Sequence, residues 1–160
     1  MPDDTLAFAD HDHRACRAAA LDALRATARA RGLRLTPARV RVLEILVEAH
    51  RAMGAYEILD RLRADGLGRQ PPAVYRALDF LTGHGFAHRI EGLNAYVACG
   101  QPGDAHGTCF LICSTCRKVA EVEDSALELA VASAAAARGF AIDRAIVEID
   151  GTCPACRGRP

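Results

Sequence analysis

Two Cys-x-x-Cys pairs, Cys113-Ser-Thr-Cys116 and Cys153-Pro-Ala-Cys156, stand in the last third of a 160-residue chain. Each pair is short enough for both sulfurs to grip one metal ion. Together they supply four thiolates, the ligand set of a closed tetrahedral zinc site. A closed site has no free coordination position, so it stabilises structure and does no chemistry on a substrate. Further ligating residue types lie just upstream and between the pairs: His88, Cys99, His106 and Glu121. His11-Asp12-His13 and Cys16 also have a ligand-like composition, but near the beginning of the chain, where disorder concentrates, and their role is left open. Cys109 belongs to an apolar stretch and reads as a buried thiol rather than a ligand. His50 and His84 fall near helix ends and read as surface residues.

Other chemistries fit the cysteines less well. Disulfides are the first alternative. Met1 to Asp10 lacks the basic segment and apolar run of a secretory signal, which predicts a cytoplasmic, reducing setting where Cys-x-x-Cys pairs more often mean metal. A zinc deaminase needs a His-x-Glu element with Pro-Cys-x-x-Cys. Here the proline lies inside the second pair, at Pro154, and no His-x-Glu is present. A thiol oxidoreductase places its Cys-x-x-Cys at a helix N-terminus after a strand. Cys113 is predicted between two strands and Cys153 at the end of one. The expectation is a protein that is not an enzyme.

Formal net charge is zero, yet Arg25, Arg29, Arg31, Arg34, Arg39 and Arg41 follow one another without an intervening acid. Residues 1–98 carry 14 basic and 12 acidic side chains, residues 99–160 carry 6 and 8. An arginine-rich patch can track phosphates on a neutral chain; a solvated helix face is the plainer reading of the same residues. The composition is 51% hydrophobic, enough for ordinary cores, and no apolar run approaches bilayer length.

The elements that must position these residues divide near residue 100, where Cys99 to Gly107 contains three glycines and a proline. The expected division is a DNA-binding domain over 1–98, a hinge over 99–107 and a zinc-stapled dimerisation domain over 108–160. Residues 14–31 read as a helix stopped by Gly32. Thr36-Pro37 caps a second helix to about Ala49, and Ala55 to Ala64 forms a third. Pro71-Pro72 opens a fourth, Ala73 to about Thr82. Phe86 to Ile90 and Ala95 to Val97 alternate as a hairpin around Gly92-Leu93-Asn94. Short helices followed by a hairpin predict a winged helix-turn-helix, whose last helix enters the major groove. Arg76, near the start of that helix, can fork to guanine N7 and O6, or form a surface ion pair. Tyr56 can meet a phosphate or a base, and Arg39 a phosphate. Tyr75 is a further contact candidate, although its position reads first as a core aromatic.

Downstream, strands are predicted over Cys109–Cys113, Val119–Val122 and Ile146–Ile149, with a helix from Ala126 to Arg138. About sixty residues are marginal for an independent core, and a metal at the four cysteines would offset the shortage. The edges of a small sheet invite a twin subunit, and a two-fold protein reads two half-sites. The fold class is therefore α+β: an N-terminal winged helix-turn-helix domain and a small C-terminal α/β dimerisation domain with structural zinc.

The run from Pro71 to Leu81 (Pro-Pro-Ala-Val-Tyr-Arg-Ala-Leu-Asp-Phe-Leu), followed by Gly85-Phe86-Ala87-His88-Arg89-Ile90, strongly resembles the ferric-uptake-regulator family. Leu35-Thr36-Pro37-Ala38-Arg39 resembles that family's second-helix opening, and the two Cys-x-x-Cys pairs resemble its structural zinc motifs. The similarity covers about residues 20 to 156. It implies a dimeric, metal-dependent repressor acting on double-stranded operator DNA. Iron-responsive members carry several histidines before the first Cys-x-x-Cys strand. Here Asp104 to Cys109 holds His106 alone, and Tyr96-Val97-Ala98-Cys99 resembles the zinc-uptake-regulator branch (Zur). Carried over by position, that branch's regulatory ligands fall on His88, Cys99, His106 and Glu121. One thiolate, two imidazoles and a carboxylate suit four-coordinate zinc, and two anionic ligands neutralise the ion, whereas iron(II) favours harder ligands. The resemblance thus implies two zinc ions per protomer and zinc-dependent repression of zinc-uptake genes. An iron- or peroxide-responsive member of the family is the first alternative, and a zinc-dependent enzyme the second.

Overall fold

Apolar side chains recur every three to four residues in four successive stretches before residue 83, and each becomes a helix. The computed structural model describes residues 8, 13–49, 51–100, 102 and 108–158. These form two compact units, residues 13–102 in one and Phe8 with residues 108–158 in the other.

In the first unit α1 spans His13–Arg31, α2 Pro37–Ala49, α3 Ala55–Ala64 and α4 Pro71–Gly83. Leu21 and Leu24 of α1 share one core with Val42, Leu43, Ile45 and Leu46 of α2, Ile58, Leu59 and Leu62 of α3, and Val74, Ala77, Leu78 and Leu81 of α4. Burying side chains of this size stabilises the fold by about 1.5–3 kcal/mol each. Thr36 caps α2, its hydroxyl oxygen accepting from the Arg39 N–H at 3.3 Å. The prolines expected just ahead of the fourth helix are part of it. Gln70 is the extended N-cap, and Pro71 and Pro72 occupy first-turn positions whose N–H groups would have no intrahelical partner.

Gly85 ends α4 in the left-handed region (φ 73°), which lets the Phe86 N–H return to the Leu81 carbonyl at 2.8 Å. That turn delivers the chain into β1 (Ala87–Ile90), paired antiparallel with β2 (Ala95–Ala98), so that Ala87 faces Ala98 and Ile90 faces Ala95. Met53 adds a third backbone segment. It exchanges hydrogen bonds with Tyr96 at 2.9 and 2.8 Å, anchoring the hairpin to the α2–α3 connection. This is a winged helix-turn-helix, with α4 immediately before the wing.

The second unit is a three-stranded sheet in the order β4-β3-β5, with β3 at Thr108–Cys113, β4 at Val119–Val122 and β5 at Ile146–Gly151. β3 pairs antiparallel with β4 and parallel with β5. A parallel pair needs a crossover, which α5 (Ser125–Ala136) supplies. Asp124 caps α5, accepting from the Ala126 and Leu127 N–H groups at 2.8 and 3.1 Å. That cap starts the helix one residue earlier than expected; the helix also ends two residues earlier, at Ala136. β5 runs two residues past Ile149, and a short helix, α6 (Pro154–Arg157), follows it. Cys153 is therefore the N-cap of a helix rather than the end of a strand, since Pro154 suits the first helical position. No helix among the described residues is long and apolar enough to cross a membrane.

Candidate metal centre and nucleic-acid interface

The register of β3 with β5 brings the two cysteine pairs together. Cys113 ends β3 opposite Gly151 at the end of β5, and the Ser114 N–H donates to the Gly151 carbonyl at 2.8 Å. The β3–β4 turn folds Cys116 back beside Cys113, aided by Arg117 at φ 61° and its N–H bond to the Cys113 carbonyl at 2.9 Å. On the other side the Cys156 and Arg157 N–H groups both return to the Cys153 carbonyl at 3.0 Å. One sulfur from each of Cys113, Cys116, Cys153 and Cys156 lies within 4.8 Å of all the others. Cys116 Sγ and Cys153 Sγ are 3.8 Å apart. A tetrahedron with metal–sulfur bonds of about 2.3 Å has edges of about 3.8 Å, so the Cys116–Cys153 edge already matches a zinc site and the other edges lie within about 1 Å of it. A Cys-x-x-Cys at a helix N-terminus after a strand is the placement expected of a thiol oxidoreductase, and Cys153-x-x-Cys156 has it. The neighbouring Cys113 and Cys116 turn the pair into half of a four-sulfur cage.

Electrostatics within the cage are uneven. The Cys153 N–H donates to Cys113 Sγ at 3.4 Å. That bond, followed by the Cys116 N–H, pulls the Cys113 thiol down to about 6. Cys156 is pushed up to about 12, chiefly by the hydrogen bond it shares with the Cys153 side chain and then by burial. Burial raises the Cys116 thiol. Cys109 is buried, and burial followed by the Asp124 charge raises its thiol, as suits a packed sulfhydryl.

The other ligating residues are spread over both units. His88 lies half-buried on β1 opposite Val97. Cys99 lies buried just beyond β2, its N–H bonded to the Phe86 carbonyl at 3.0 Å. A His88 ring nitrogen and Cys99 Sγ are within 4.8 Å, so the wing alone offers an imidazole–thiol pair. Glu121 is half-buried on β4, opposite Phe110 in the second unit. His106 lies outside the described residues, as do His11, His50 and the side chains of His13 and Cys16. His84 caps α4 and lies against Phe80, ring centroids 4.6 Å apart and planes tilted by 60°.

On α4, Val74, Ala77, Leu78 and Leu81 take the buried positions, which turns residues 75 and 76 outward. Tyr75 is 41% exposed, which overturns its reading as a core aromatic, and Tyr56 at the start of α3 is 67% exposed. Arg76 is exposed, with no ion-pair partner among the described residues. The arginine-rich stretch is less free than its charge implies. Arg41 pairs with Glu44, Glu48 and Asp65 at 3.2, 3.2 and 2.7 Å, and Arg25 with Asp22 at 3.5 Å. Arg17 of α1 joins the same lattice through Glu44 and Glu48. Arg39 is engaged as well. Its guanidinium donates to the Arg34 carbonyl and lies 3.8 Å from the centroid of the Phe80 ring. The Arg25–Asp22 and Arg41–Glu44 pairs are each three residues apart on one helix and readable from the sequence; the remaining side-chain partners stand up to 41 residues away, and no local pattern announces them.

A winged helix with an exposed reading helix, on a chain that also folds four thiols into one cage, has the build of a metal-dependent transcription regulator. The chain belongs to the ferric uptake regulator family, whose model matches residues 30–150. It is 40% identical over 129 residues to the zinc uptake regulation protein of Escherichia coli K12, covering 79% of this chain and 74% of that one. Among solved structures it is similar to a zinc uptake regulator complexed with zinc and DNA: TM-score 0.82, 36% identity, 88% of this chain and 95% of the other. It is also similar to the holo form of XcZur, with TM-score 0.75, 41% identity, and 87% and 99% coverage.

Proposed function

We propose that this protein is a zinc-responsive transcriptional repressor that binds operator DNA of zinc-uptake genes as a homodimer in the cytoplasm. The observation that carries this reading is the likeness, over 88% of the chain, to a zinc uptake regulator in complex with zinc and DNA. Residues 1–98 form the DNA-binding domain, 99–107 the hinge and 108–160 the dimerisation domain. Cys113, Cys116, Cys153 and Cys156 hold a structural zinc that ties the β3–β4 turn to α6. His88, Cys99, His106 and Glu121 hold a second, regulatory zinc, giving two per protomer and no catalytic step.

In this arrangement Arg76 reads a base edge, and Tyr56 and Tyr75 flank it. The His88 and Cys99 ligands belong to the wing, His106 to the hinge and Glu121 to the dimerisation domain. Binding one ion with all four side chains removes freedom from the hinge and favours simultaneous docking on two half-sites. Zinc and DNA must then each tighten the other's binding by the same factor. The test is operator titration at buffered free zinc, iron(II) and manganese(II), with metals counted per protomer. Zinc-selective binding with two zinc ions per protomer is expected. Operator binding equally supported by iron, or unaffected by metal, would sink the reading.

A further inference from the structure

We propose that Arg39 is a positioning residue for the recognition helix and makes no phosphate contact of its own. The inference rests on the reading that α4 docks on operator DNA. Arg39 is held at both ends. Its N–H donates to the Thr36 hydroxyl at 3.3 Å, which fixes the first turn of α2. Its guanidinium donates to the Arg34 carbonyl and stacks on Phe80, with Cζ 3.8 Å from the ring centroid. A guanidinium against a ring face is attracted by the ring's quadrupole, more strongly when partly withdrawn from water, and Arg39 is half-buried.

Phe80 transmits the constraint. It packs against the core of the first unit from α4, and His84 touches the same ring at 4.6 Å. Phe80 stands one turn after Arg76, and residues four apart share a helix flank. The strut from α2 therefore grips the flank of α4 that carries Arg76. A guanidinium reading a base edge through two parallel hydrogen bonds depends on orientation, so the roll of α4 decides whether Arg76 reaches its base squarely. Arg39 holds that roll, with one guanidinium N–H and one guanidinium face already engaged inside the protein.

The test is a double-mutant cycle of Arg39→Ala and Phe80→Leu, with Phe80→Tyr as the variant that keeps the ring. Each change is read in operator affinity across a salt series and in thermal unfolding without DNA. Arg39→Ala and Phe80→Leu should each weaken operator binding between about twofold and about thirtyfold. The double variant should fall within about twofold of the weaker single one. The salt slope of Arg39→Ala should match the parent's, and Phe80→Tyr should bind as the parent does. A slope reduced by about one charge in Arg39→Ala, with Phe80→Leu binding normally, would make Arg39 a phosphate contact and overturn the proposal. Additive losses in affinity or unfolding would overturn it too. If the parent binds no operator the DNA reading fails on its own, and the unfolding cycle still decides whether the strut exists.

Discussion

Ser114 and Gly151 are joined by a backbone hydrogen bond of 2.8 Å. That bond is the last rung between β3 and β5, and it lies between the two cysteine pairs. The scaffold of the thiol cage is thus set by sheet pairing, with the metal closing what the backbone has aligned. A preorganised site loses little chain freedom on binding, so its zinc should leave slowly to chelators.

Removing one ligand tests how far the second unit depends on the cage. Cys113→Ser deletes the thiol that accepts from the Cys153 N–H and leaves three sulfurs. Apparent zinc-binding energies in small metallo-domains are about 10–16 kcal/mol, most of the stability a unit of this size can have. The variant should lose this metal and run as monomer or aggregate on size exclusion. A well-folded, metal-free dimer would show that the sheet does not need the ion.

Zinc capture at the cage should release protons. At pH 7 Cys113, with its thiol near 6, is already mostly thiolate, while Cys156, near 12, keeps its proton and burial also favours the protonated form of Cys116. Metal binding must expel those protons, so apparent affinity rises with pH between 7 and 9 and falls further as acid protonates Cys113 below about 6. Calorimetry in buffers of different ionisation enthalpy measures the count. A binding heat independent of the buffer would mean that the thiols were already ionised.

Arg76→Ala should weaken operator binding by about 1–3 kcal/mol and relax discrimination at one base pair. Arg76 is exposed, with no ion-pair partner among the described residues, so thermal unfolding of the variant should be near that of the parent. Titrations on operators altered one base pair at a time give the readout. Unchanged base preference would remove Arg76 from the reading set.

Cys99→Ser should retain the structural zinc and the dimer while losing zinc-dependent operator binding. Coupling of about 1–3 kcal/mol between zinc and DNA corresponds to a shift of roughly five- to 150-fold in the zinc concentration required. A variant that responds at the parent's zinc concentration would place the sensor elsewhere.

The helices were legible because each carries its own period and punctuation, down to Thr36-Pro37 at the start of α2 and Gly85 after α4. The Cys-x-x-Cys pairs are equally local. Their meeting is not, because it follows from the parallel register of β3 with β5, which no residue near Cys113 announces. α6 had a signal in the proline after Cys153, outweighed by the strand-like run before it. Tyr75 was misread because an aromatic next to Val74 on an apolar helix scores as core until the buried positions 74, 77, 78 and 81 are seen to fill that face. The contacts of Arg39 with Phe80 and of Arg41 with Asp65 lay beyond sequence reasoning, since charge counts do not reveal which arginines face distant acids or rings.

α5 has no buried side chain, and Leu129 on it and Phe140 just after it are each 68% exposed. At 12 residues it is too short to hold its shape unaided in water, where isolated helices shorter than about 12–15 residues are marginal. A second copy seated on this face would make its order collective, supplied through mass action. Protein concentration then becomes a variable of folding itself. Diluting the chain would erode this unit before it erodes the winged helix, and the amount of competent regulator in a cell would rise more steeply than the number of chains made.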